Sequence, residues 1–443
     1  MRFTSFCLLF VPATLLAEEA CECPHDHADE HQHDGHPAET SGSPHHPHLE
    51  LDEHDDGWFH FHPHLSAAIA LGGSTSEKNL GLLRGGHAPI DDGFNLQGIE
   101  FGAVMEFGSA LSLHTTYNTF WDRYDHWDGE WEDAYLALTL PAGISLRGGQ
   151  FFAPFGHENQ LHLHDRAFVE PPISVIRLLG EEGLVVQGGD IAFHLPGPGE
   201  NTIFRFGYGQ SRSHSHGGAR DFRRDLYQEA LEHAGEEHHD DDDDDDHDHE
   251  EEEHAHGFAG NGGVYDVDDA YLDDGFFFAR LETDVCSGYG LNRAGVSFAA
   301  GENGFGRTTW VVGADLFGTF DLAGMPSWWR AEAFYRSVDA YDRAGLPGHF
   351  DETGIYAACG CEFVQDWMVA ARVEWASGDR MAGAERRLRA STNVEHVSHL
   401  AEFADLHTRL QYTFDDLGGY GTEHTVWLQF VLNLGAAEHG HDH

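Results

Sequence analysis

TVWLQFVLNL, residues Thr425–Leu434, alternates apolar and polar side chains along its length. Leu428 and Phe430 fall on one face of an extended chain and Gln429 and Asn433 fall on the other, because successive side chains of a strand point to opposite sides. One face of this segment therefore suits an apolar environment and the other suits a polar one. The pattern predicts a half-buried β-strand.

The same alternation recurs from about Pro63 onward, in segments separated by clusters of Gly, Pro, Asp and Asn. The segments that fit are residues 63–72, 95–107, 111–121, 131–140, 144–152, 184–195, 202–209, 275–285, 290–300, 307–318, 327–338, 352–363, 367–376, 404–414 and 424–434. This count is odd, whereas bacterial membrane barrels use an even number of strands. We expect the error to lie in region 73–94 or region 377–403.

Two features favour a membrane barrel over a water-soluble β protein. The polar faces carry Arg together with Glu or Asp in segment after segment, as the wall of a polar lumen would. Aromatic residues also collect near the segment ends, as in an interfacial girdle: Phe120, Trp121, Trp131, Trp328, Trp329, Trp367, Trp375 and Trp427. We predict an all-β fold: a transmembrane antiparallel β-barrel of about 14–16 strands over residues 63–435, with an inward-folded long loop at 153–183.

The N-terminus is typical of an exported protein. Residues 1–17 read as a signal peptide, with a short apolar run and a cleavage site at Ala17. Cleavage after Ala20 would instead leave Cys21 as a lipid anchor. Later segments lack the run of about 18 apolar residues that a membrane-spanning helix needs. An exported chain that crosses the membrane with strands is expected in the outer membrane of a Gram-negative-type cell, with outer-membrane lipid as a partner.

Histidine is concentrated in three tracts: an N-terminal arm (18–62), the 211–274 connection and a C-terminal tail (436–443). From Glu236 to Glu253, fourteen of eighteen residues are acidic, and such a run cannot bury enough apolar surface to fold, so we expect these tracts to be disordered. The predicted metal ligands in the tracts are His25, His27, His31, His33, His36, His45, His46, His48, His238, His239, His247, His249, His254 and His256.

The charge of the chain indicates the same class of partner. The formal net charge is −53 and Lys78 is the single lysine, so that the chain repels nucleic acid and attracts cations. Neutral imidazole binds zinc, copper and nickel, and flexible histidines can form several labile sites of modest affinity. The tracts therefore predict transient binding of zinc or another divalent metal. The alternative is that they are merely solvated polar tails.

A stretch between two segments resembles the phosphate-selective porin family, where a strand ending in G-x-F-x-x-P-F-G enters a long loop. The matching residues are Gly149, Phe151, Pro154, Phe155 and Gly156, then Phe168 and Glu170, then Gly183 and Gln187. The chain is also similar to a branch of that superfamily found as zinc-responsive outer-membrane receptors or porins. The resemblance implies a loop that narrows the lumen, and it implies a homotrimer.

The chain departs from this family in the chemistry of the loop. Phosphate porins depend on clusters of basic residues, whereas the loop here carries His157, His162 and His164 beside Glu158 and Asp165. His162 and His164 alternate on an extended segment and share one side of it. We predict a metal relay at the constriction from these side chains; the alternative is that they hydrogen-bond to the barrel wall.

Together these features predict an outer-membrane channel that captures divalent metal, zinc foremost, on its loops and passes it through a hydrated lumen. The alternatives are a general or anion-selective porin with histidine-rich surface decoration, and a soluble metal-storage β protein. No nucleophile motif, phosphate loop or H-E-x-x-H helix is present in the sequence, so we expect no catalytic activity and no resident catalytic cofactor. A separate N-terminal plug domain is not evident either, and an energy-transducing partner is not expected.

Replacing residues 236–253 with a Gly/Ser linker of equal length tests the role of the acidic tract. We expect fewer zinc ions bound per chain at equilibrium dialysis, because the carboxylates and histidines that concentrate the cation are removed. The barrel should keep its circular dichroism spectrum, because the tract lies in a connection. Unchanged zinc binding would remove the tract from the mechanism.

Overall fold

The computed structural model shows sixteen antiparallel strands among the residues that it describes. These strands close into one barrel. β1 (Phe59–Ser74) pairs with β16 (Thr422–Leu434) to complete the closure. The predicted all-β barrel of about 14–16 strands is therefore confirmed. The described residues are 58–75, 87–89, 92–121, 127–196, 201–212, 268–287, 290–341, 346–378, 386–418 and 421–435.

Every strand pairs with its neighbours along the chain. The other strands are β2 (Gly93–Phe107), β3 (Leu111–Trp121), β4 (Trp127–Leu140), β5 (Ile144–Phe152), β6 (Val185–Leu195), β7 (Thr202–Ser211), β8 (Leu272–Ser287), β9 (Gly290–Asn303), β10 (Thr308–Leu322), β11 (Met325–Tyr341), β12 (Pro347–Val364), β13 (Trp367–Ala376), β14 (Arg387–Ala401) and β15 (Ala404–Asp416). One α-helix, α1 (Ile173–Leu179), and 3-10 turns at Glu158–Gln160, Leu163–Asp165 and Asp268–Ala270 lie between strands.

The strand that the sequence left unassigned is β14, which lies within region 377–403. Its outward face includes Leu388 and Val394, but Thr392 stands between them, so that the apolar positions are too few to give a clear alternation. β14 is nevertheless paired along both edges, with β13 on one side and β15 on the other. Tertiary pairing thus decides its conformation.

The outer face of the barrel is apolar. Leu316, Val373 and Leu410 are 48%, 55% and 54% exposed, and similar side chains recur on consecutive strands. Their sequence neighbours point into the barrel, as the period of two requires. The result is a belt of the kind that faces hydrocarbon in membrane barrels. Among the described residues, no helix is both long enough and apolar enough to span a membrane.

The aromatic residues near the strand ends do not all lie in this outer belt. Trp121 and Trp367 are 39% and 42% exposed, as a girdle requires. Trp427 is instead 1% exposed and lies on the lumen side, because it shares its strand face with Gln429. Phe120 is also buried, so the predicted girdle is wrong for these two residues.

The two rims of the barrel differ in the length of their connections. One rim has tight turns such as Ala323-Gly324, where φ values of 58° and 85° match the two-residue turn that twisted antiparallel strands favour. β1 begins at this short-turn rim, so residues 59–62, which the sequence placed in the arm, belong to the barrel. The N-terminal and C-terminal tracts therefore join the barrel at the short-turn rim, whereas segment 213–267 joins it at the opposite rim.

The long connection between β5 and β6 folds into the lumen, as predicted. We call residues 153–184 the inward loop. Helix α1 lies in this loop and contacts β11, β12 and β13 from inside the barrel. Phe155, Val169 and Ile173 of the loop are fully buried. The loop is therefore part of the packed interior.

At the level of the inward loop, polar side chains of the wall are also buried. Asn118, Arg389, Gln411 and Gln429 are each 0% exposed. Gln411 bonds to Val169 and Glu170 of the loop, whereas the other three bond to polar side chains of the wall. This level of the lumen is therefore a polar network. The inward loop narrows the lumen at this level, as the resemblance implies.

Substituting arginine at two outward positions of β10 tests the membrane belt. Leu316→Arg, near the middle of the strand, should lower the free energy of unfolding by about 2–4 kcal/mol, and Leu322→Arg, beside the short turn, by about 0–1 kcal/mol. The difference arises because only the central position would place the charge deep in hydrocarbon. Urea titration in lipid vesicles measures the free energy of unfolding of both variants. An equal loss of stability in the two would contradict the placement of Leu316 in the middle of the apolar belt and of Leu322 at its edge.

Candidate functional site

The inner wall of the barrel has two chemically different parts. On most strands, inward-facing arginines are neutralised by carboxylates, as buried cations require. Ion pairs with N–O distances of 2.6–3.0 Å join Arg147 to Asp190, Arg280 to Asp315, Arg293 to Asp284, Arg372 to Glu374, Arg389 to Asp415 and Arg409 to Glu395. These pairs are formed by the Arg, Glu and Asp residues that the sequence places on the polar faces of the strands.

Strands β1–β4 are different, because they contain no lysine and no arginine. The ionisable side chains on their inner face are mainly histidines and carboxylates, among neutral residues such as Ser66, Thr116 and Asn118. We call this surface the histidine sector: His60, His62 and His64 on β1, Glu100 and Glu106 on β2, His114 on β3, and Glu130, Glu132 and Asp133 on β4. A wall of this composition carries negative charge unless the imidazoles are protonated or a cation binds.

The inward loop is fixed at its base by Asn159. The Asn159 amide donates to the carbonyl oxygens of Ala153 and Leu184 at 2.9 and 3.2 Å, and its oxygen accepts from the Leu184 N–H at 2.7 Å. The first and last residues of the loop are thereby tied together. From this base the chain crosses the lumen toward the histidine sector.

His162 reaches two carboxylates of β4. Its Nδ1 lies 2.6 Å from Glu132 Oε2, and its Nε2 lies 2.9 Å from Asp133 Oδ2. Adjacent residues of a regular strand point to opposite faces, so these two carboxylates require an irregularity. Asp133 pairs with Thr116 whereas Trp131 pairs with Tyr117. Glu132 is the extra residue of a β-bulge, a feature that re-aims side chains beside functional sites.

His164 lies next to His162 and contacts β2. Its Nδ1 lies 2.5 Å from Glu100 Oε2, and the rings of His162 and His164 stack with centroids 5.8 Å apart. Asp165 Oδ1 lies 3.5 Å from His164 Nε2. The His64 ring of β1 is 6.0 Å from the His164 ring. The structure therefore brings His162, His164 and Asp165 together, as the sequence predicts, and adds wall residues to them.

His87 completes the cluster from the connection between β1 and β2. Its Nε2 lies 3.2 Å from Glu130 Oε1 and 3.1 Å from Glu132 Oε1. The two oxygens of Glu132 thus face different histidines, His87 and His162. The ligand atoms of His87, Glu130 and Glu132 lie within 4.8 Å of one another, and so do those of Glu100, Glu132 and His162.

The carboxylates change the protonation of these loop histidines. Burial lowers the pKa of His87, but hydrogen bonds to Glu130 and Glu132 outweigh this and raise it to about 10. Burial is likewise outweighed at His162 by Asp133 and Glu132, and at His164 by Glu100, so that the pKa of both is raised. Without a metal ion, these acids are neutralised by the imidazolium groups and, at Glu130, by the guanidinium of Arg212 at 3.1 Å. A divalent ion would bind by displacing these protons.

His157 and Glu158 lie apart from this cluster. The His157 ring stacks on Phe317 of β10 with centroids 4.5 Å apart, and its backbone N–H donates to Glu332 at 2.9 Å. Glu158 accepts from Arg330 at 3.0 Å. These two loop residues therefore contact the arginine-bearing part of the wall, and the structure does not bring them together with His162 and His164.

The remaining predicted ligands lie outside the described residues. These are His25, His27, His31, His33, His36, His45, His46 and His48 in the N-terminal arm, and His238, His239, His247, His249, His254 and His256 in the central tract. Their metal binding stays a prediction.

Sequence reasoning missed His87, Glu100, Glu130 and Glu132. These residues come from three separate elements, and no short motif connects them. The spacing Glu130-x-Glu132 does place two acids on one strand face, and this was the one available signal. Their meeting depends on strand register and on the bulge.

The returning part of the inward loop is held by Glu170, which is 1% exposed. Its carboxylate accepts hydrogen bonds from Gln411 at 2.6 Å and from the Trp427 indole at 3.2 Å. Its backbone oxygen accepts from Arg372 at 2.9 Å. Glu170 thus fixes the loop to β13, β15 and β16, and the inward position of Trp427 serves this contact.

Comparison with known proteins places this fold among porins. No family model matches the chain, and no curated protein matches its sequence. The anion-selective porin from Comamonas acidovorans is 9% identical over 85% of this chain and 99% of its own, with a TM-score of 0.50. The outer membrane channel DcaP of Acinetobacter baumannii is 10% identical over 85% of this chain and 96% of its own, with a TM-score of 0.49. At this level of identity the likeness shows the fold alone.

The Glu170 contacts generate a test of the inward loop. Glu170→Ala removes two hydrogen bonds to a charged group, each worth about 1.5–3 kcal/mol, so we expect the loop to separate from β15 and β16. Single-channel conductance in planar bilayers should rise, because the loop narrows the lumen. Gln160→Ala is the matched control, since within the described part of the chain its side chain bonds to Gly156 of the same loop and to no strand. An unchanged conductance in Glu170→Ala would show that the loop does not limit ion flow.

Proposed function

We propose that the protein is an outer-membrane channel that admits divalent metal cations, zinc foremost. The histidine sector is the observation that carries this proposal. It lines a continuous part of the lumen wall with imidazole and carboxylate groups, and the strands that bear it contain neither lysine nor arginine. Imidazole and carboxylate groups are both established ligands of zinc, and catalytic zinc sites combine them.

The barrel itself supports the membrane placement. A closed sheet satisfies its backbone hydrogen bonds internally, which hydrocarbon requires, and the exposed belt around Leu316 and Val373 is apolar. Both features favour an integral membrane protein over a soluble metal-storage protein. With the signal peptide expected at residues 1–17, they support the outer membrane as its location.

The charges of the lumen argue against selection of anions. Arg280 of the inner wall, for example, donates to Asp315 at 2.7 and 2.9 Å and to Glu282 at 2.7 Å. An anion entering the lumen would have to compete with these intramolecular partners. The situation is the opposite at Glu100 and Glu132, whose carboxylates contact the titratable imidazoles of His87, His162 and His164. Glu130 contacts both His87 and the guanidinium of Arg212.

A route for the cation follows from the positions of the histidines. The buried cluster lies at the inward loop, and His64 lies beside it on β1. His62 and His60 follow at alternate positions toward the short-turn rim, with Glu106 3.7 Å from His62. A series of neighbouring weak sites permits an ion to move from one to the next, whereas one strong site would retain it.

We assign capture of the ion to the histidine-rich tracts. The 213–267 segment joins the barrel at the long-loop rim, and the arm and tail join it at the other rim. Carboxylates at both mouths would raise the local cation concentration. A homotrimer, passive transport without an energy-transducing partner, and membership of the zinc-responsive branch stay predictions that rest on the resemblance.

Reversal potentials in planar bilayers test the proposal. Under a salt gradient of potassium chloride, and then of zinc chloride, the wild-type channel should prefer the cation. Neutralising Glu100→Gln and Glu132→Gln together should lower the permeability ratio of cation to chloride by about two-fold or more, because fixed negative charge is removed from the constriction.

Glu302→Gln is the control for this measurement. It makes the same chemical change at an exposed, outward position of β9 and should leave the ratio unchanged. Anion preference in the wild-type channel would overturn the proposal and favour the general or anion-selective porin with histidine-rich decoration.

A further inference from the structure

We propose that the constriction holds a pair of adjacent divalent-cation sites that share Glu132 as a bridging ligand. This inference rests on the proposed function and deepens it, since it names the residues that bind the cation inside the lumen. One site consists of His87, Glu130 and Glu132. The other consists of His162, Glu100 and Glu132.

The geometry of Glu132 is the main argument. Its Oε1 lies 3.1 Å from His87 Nε2, and its Oε2 lies 2.6 Å from His162 Nδ1. One carboxylate thus directs each of its oxygens to a different imidazole. A carboxylate with both oxygens engaged in this way can join two ions about 3.5–4 Å apart, the separation typical of two-metal sites.

The β-bulge makes this arrangement available. It leaves Glu132 without a direct partner on β3 and turns it into the lumen next to Asp133. Glu130, two residues earlier, pairs with Asn118 and also faces inward. Three acids within four residues of β4, Glu130, Glu132 and Asp133, therefore face the same part of the lumen, where a regular strand would offer two.

Glu100 provides independent support for a ligand in this volume. It is 1% exposed, and one of its oxygens, Oε2, contacts His164. Within the part of the chain that the structure describes, its other oxygen, Oε1, is buried and has no hydrogen-bond partner. A buried carboxylate oxygen without a partner is destabilising, because it has lost its hydration and gained no hydrogen bond in exchange. A bound cation in the second site would remove this cost.

The second coordination layer also fits metal binding. The Asn118 amide donates to Glu132 Oε1 at 3.0 Å and orients that carboxylate. Asp133 contacts the remaining nitrogen of His162 at 2.9 Å, as the carboxylate partners of metal-bound histidines do. Each proposed site thus has one imidazole and two carboxylates from the protein, which leaves positions open for water and for exchange.

Two adjacent sites suit a channel better than one isolated site. Electrostatic repulsion between neighbouring ions helps one of them to leave when another enters. The shared ligand Glu132 places the two ions close enough for this effect. The pair would therefore combine selection of a divalent cation with its release.

Counting the retained metal in single variants tests the bridge. The purified full-length protein is incubated with zinc chloride, passed over a chelating resin and analysed for zinc per chain. The tracts are the same in all variants, so the differences report the lumen. Relative to wild type, His87→Gln and Glu100→Gln should each lose one ion, and Glu132→Gln should lose both ions of the pair. Glu302→Gln should lose none.

Cobalt absorption gives a second readout that a purely structural role would not change. Replacing zinc by cobalt should produce d–d absorption from which His87→Gln and Glu100→Gln each remove an equal share relative to wild type and Glu132→Gln removes about twice that share, while circular dichroism confirms that every variant is folded. Loss of one ion or none in folded Glu132→Gln would overturn the bridged pair. A cation-selective channel with that result would leave the proposed function intact, whereas two lumen ions in an anion-selective channel would refute the function alone.

Discussion

Backbone hydrogen bonding in hydrocarbon is the constraint on which the structure depends. A sheet that meets lipid has no water to satisfy its N–H and C=O groups, so every strand must be paired along both edges. Closure of β1 against β16 meets this requirement. It also fixes the period of two around the whole barrel, because each residue then faces either lipid or lumen. Chemistry that depends on polar groups can be placed only on the inner face and on the connections.

The inner face must in turn balance its own charges. Across most of the wall this is achieved by fixed partners, as where Arg389 meets Asp415. Strands β1–β4 carry no lysine or arginine of their own; the acids around Glu132 are met by His87 and His162, and Arg212, which follows β7, contacts Glu130 at 3.1 Å. Imidazole can exchange its proton for a metal ion, whereas guanidinium cannot. The difference between the two parts of the wall is therefore a difference between permanent and exchangeable charge.

Local sequence determined what could be predicted. Strands with a long apolar face, such as β16, were evident from their alternation, and the pairing of His162 with His164 followed from the same period. β14 was missed because its lipid-facing side is partly polar, and only its two neighbours define it. The cluster around Glu132 was missed because it depends on the register between β3 and β4, on a bulge, and on a separate connection that carries His87. None of these long-range relations can be predicted from a short stretch of sequence.

The bulge shows how such a site can arise without a change of fold. Inserting one residue into β4 alters the direction of a single side chain, while strand order, closure and the outer belt are kept. Inward positions are free to vary because lipid constrains only the opposite face. Barrels of one architecture can therefore differ widely in what their lumens bind. Selectivity in this chain must be argued from Glu100, Glu132 and the histidines that surround them, since the barrel alone would be compatible with either sign of charge.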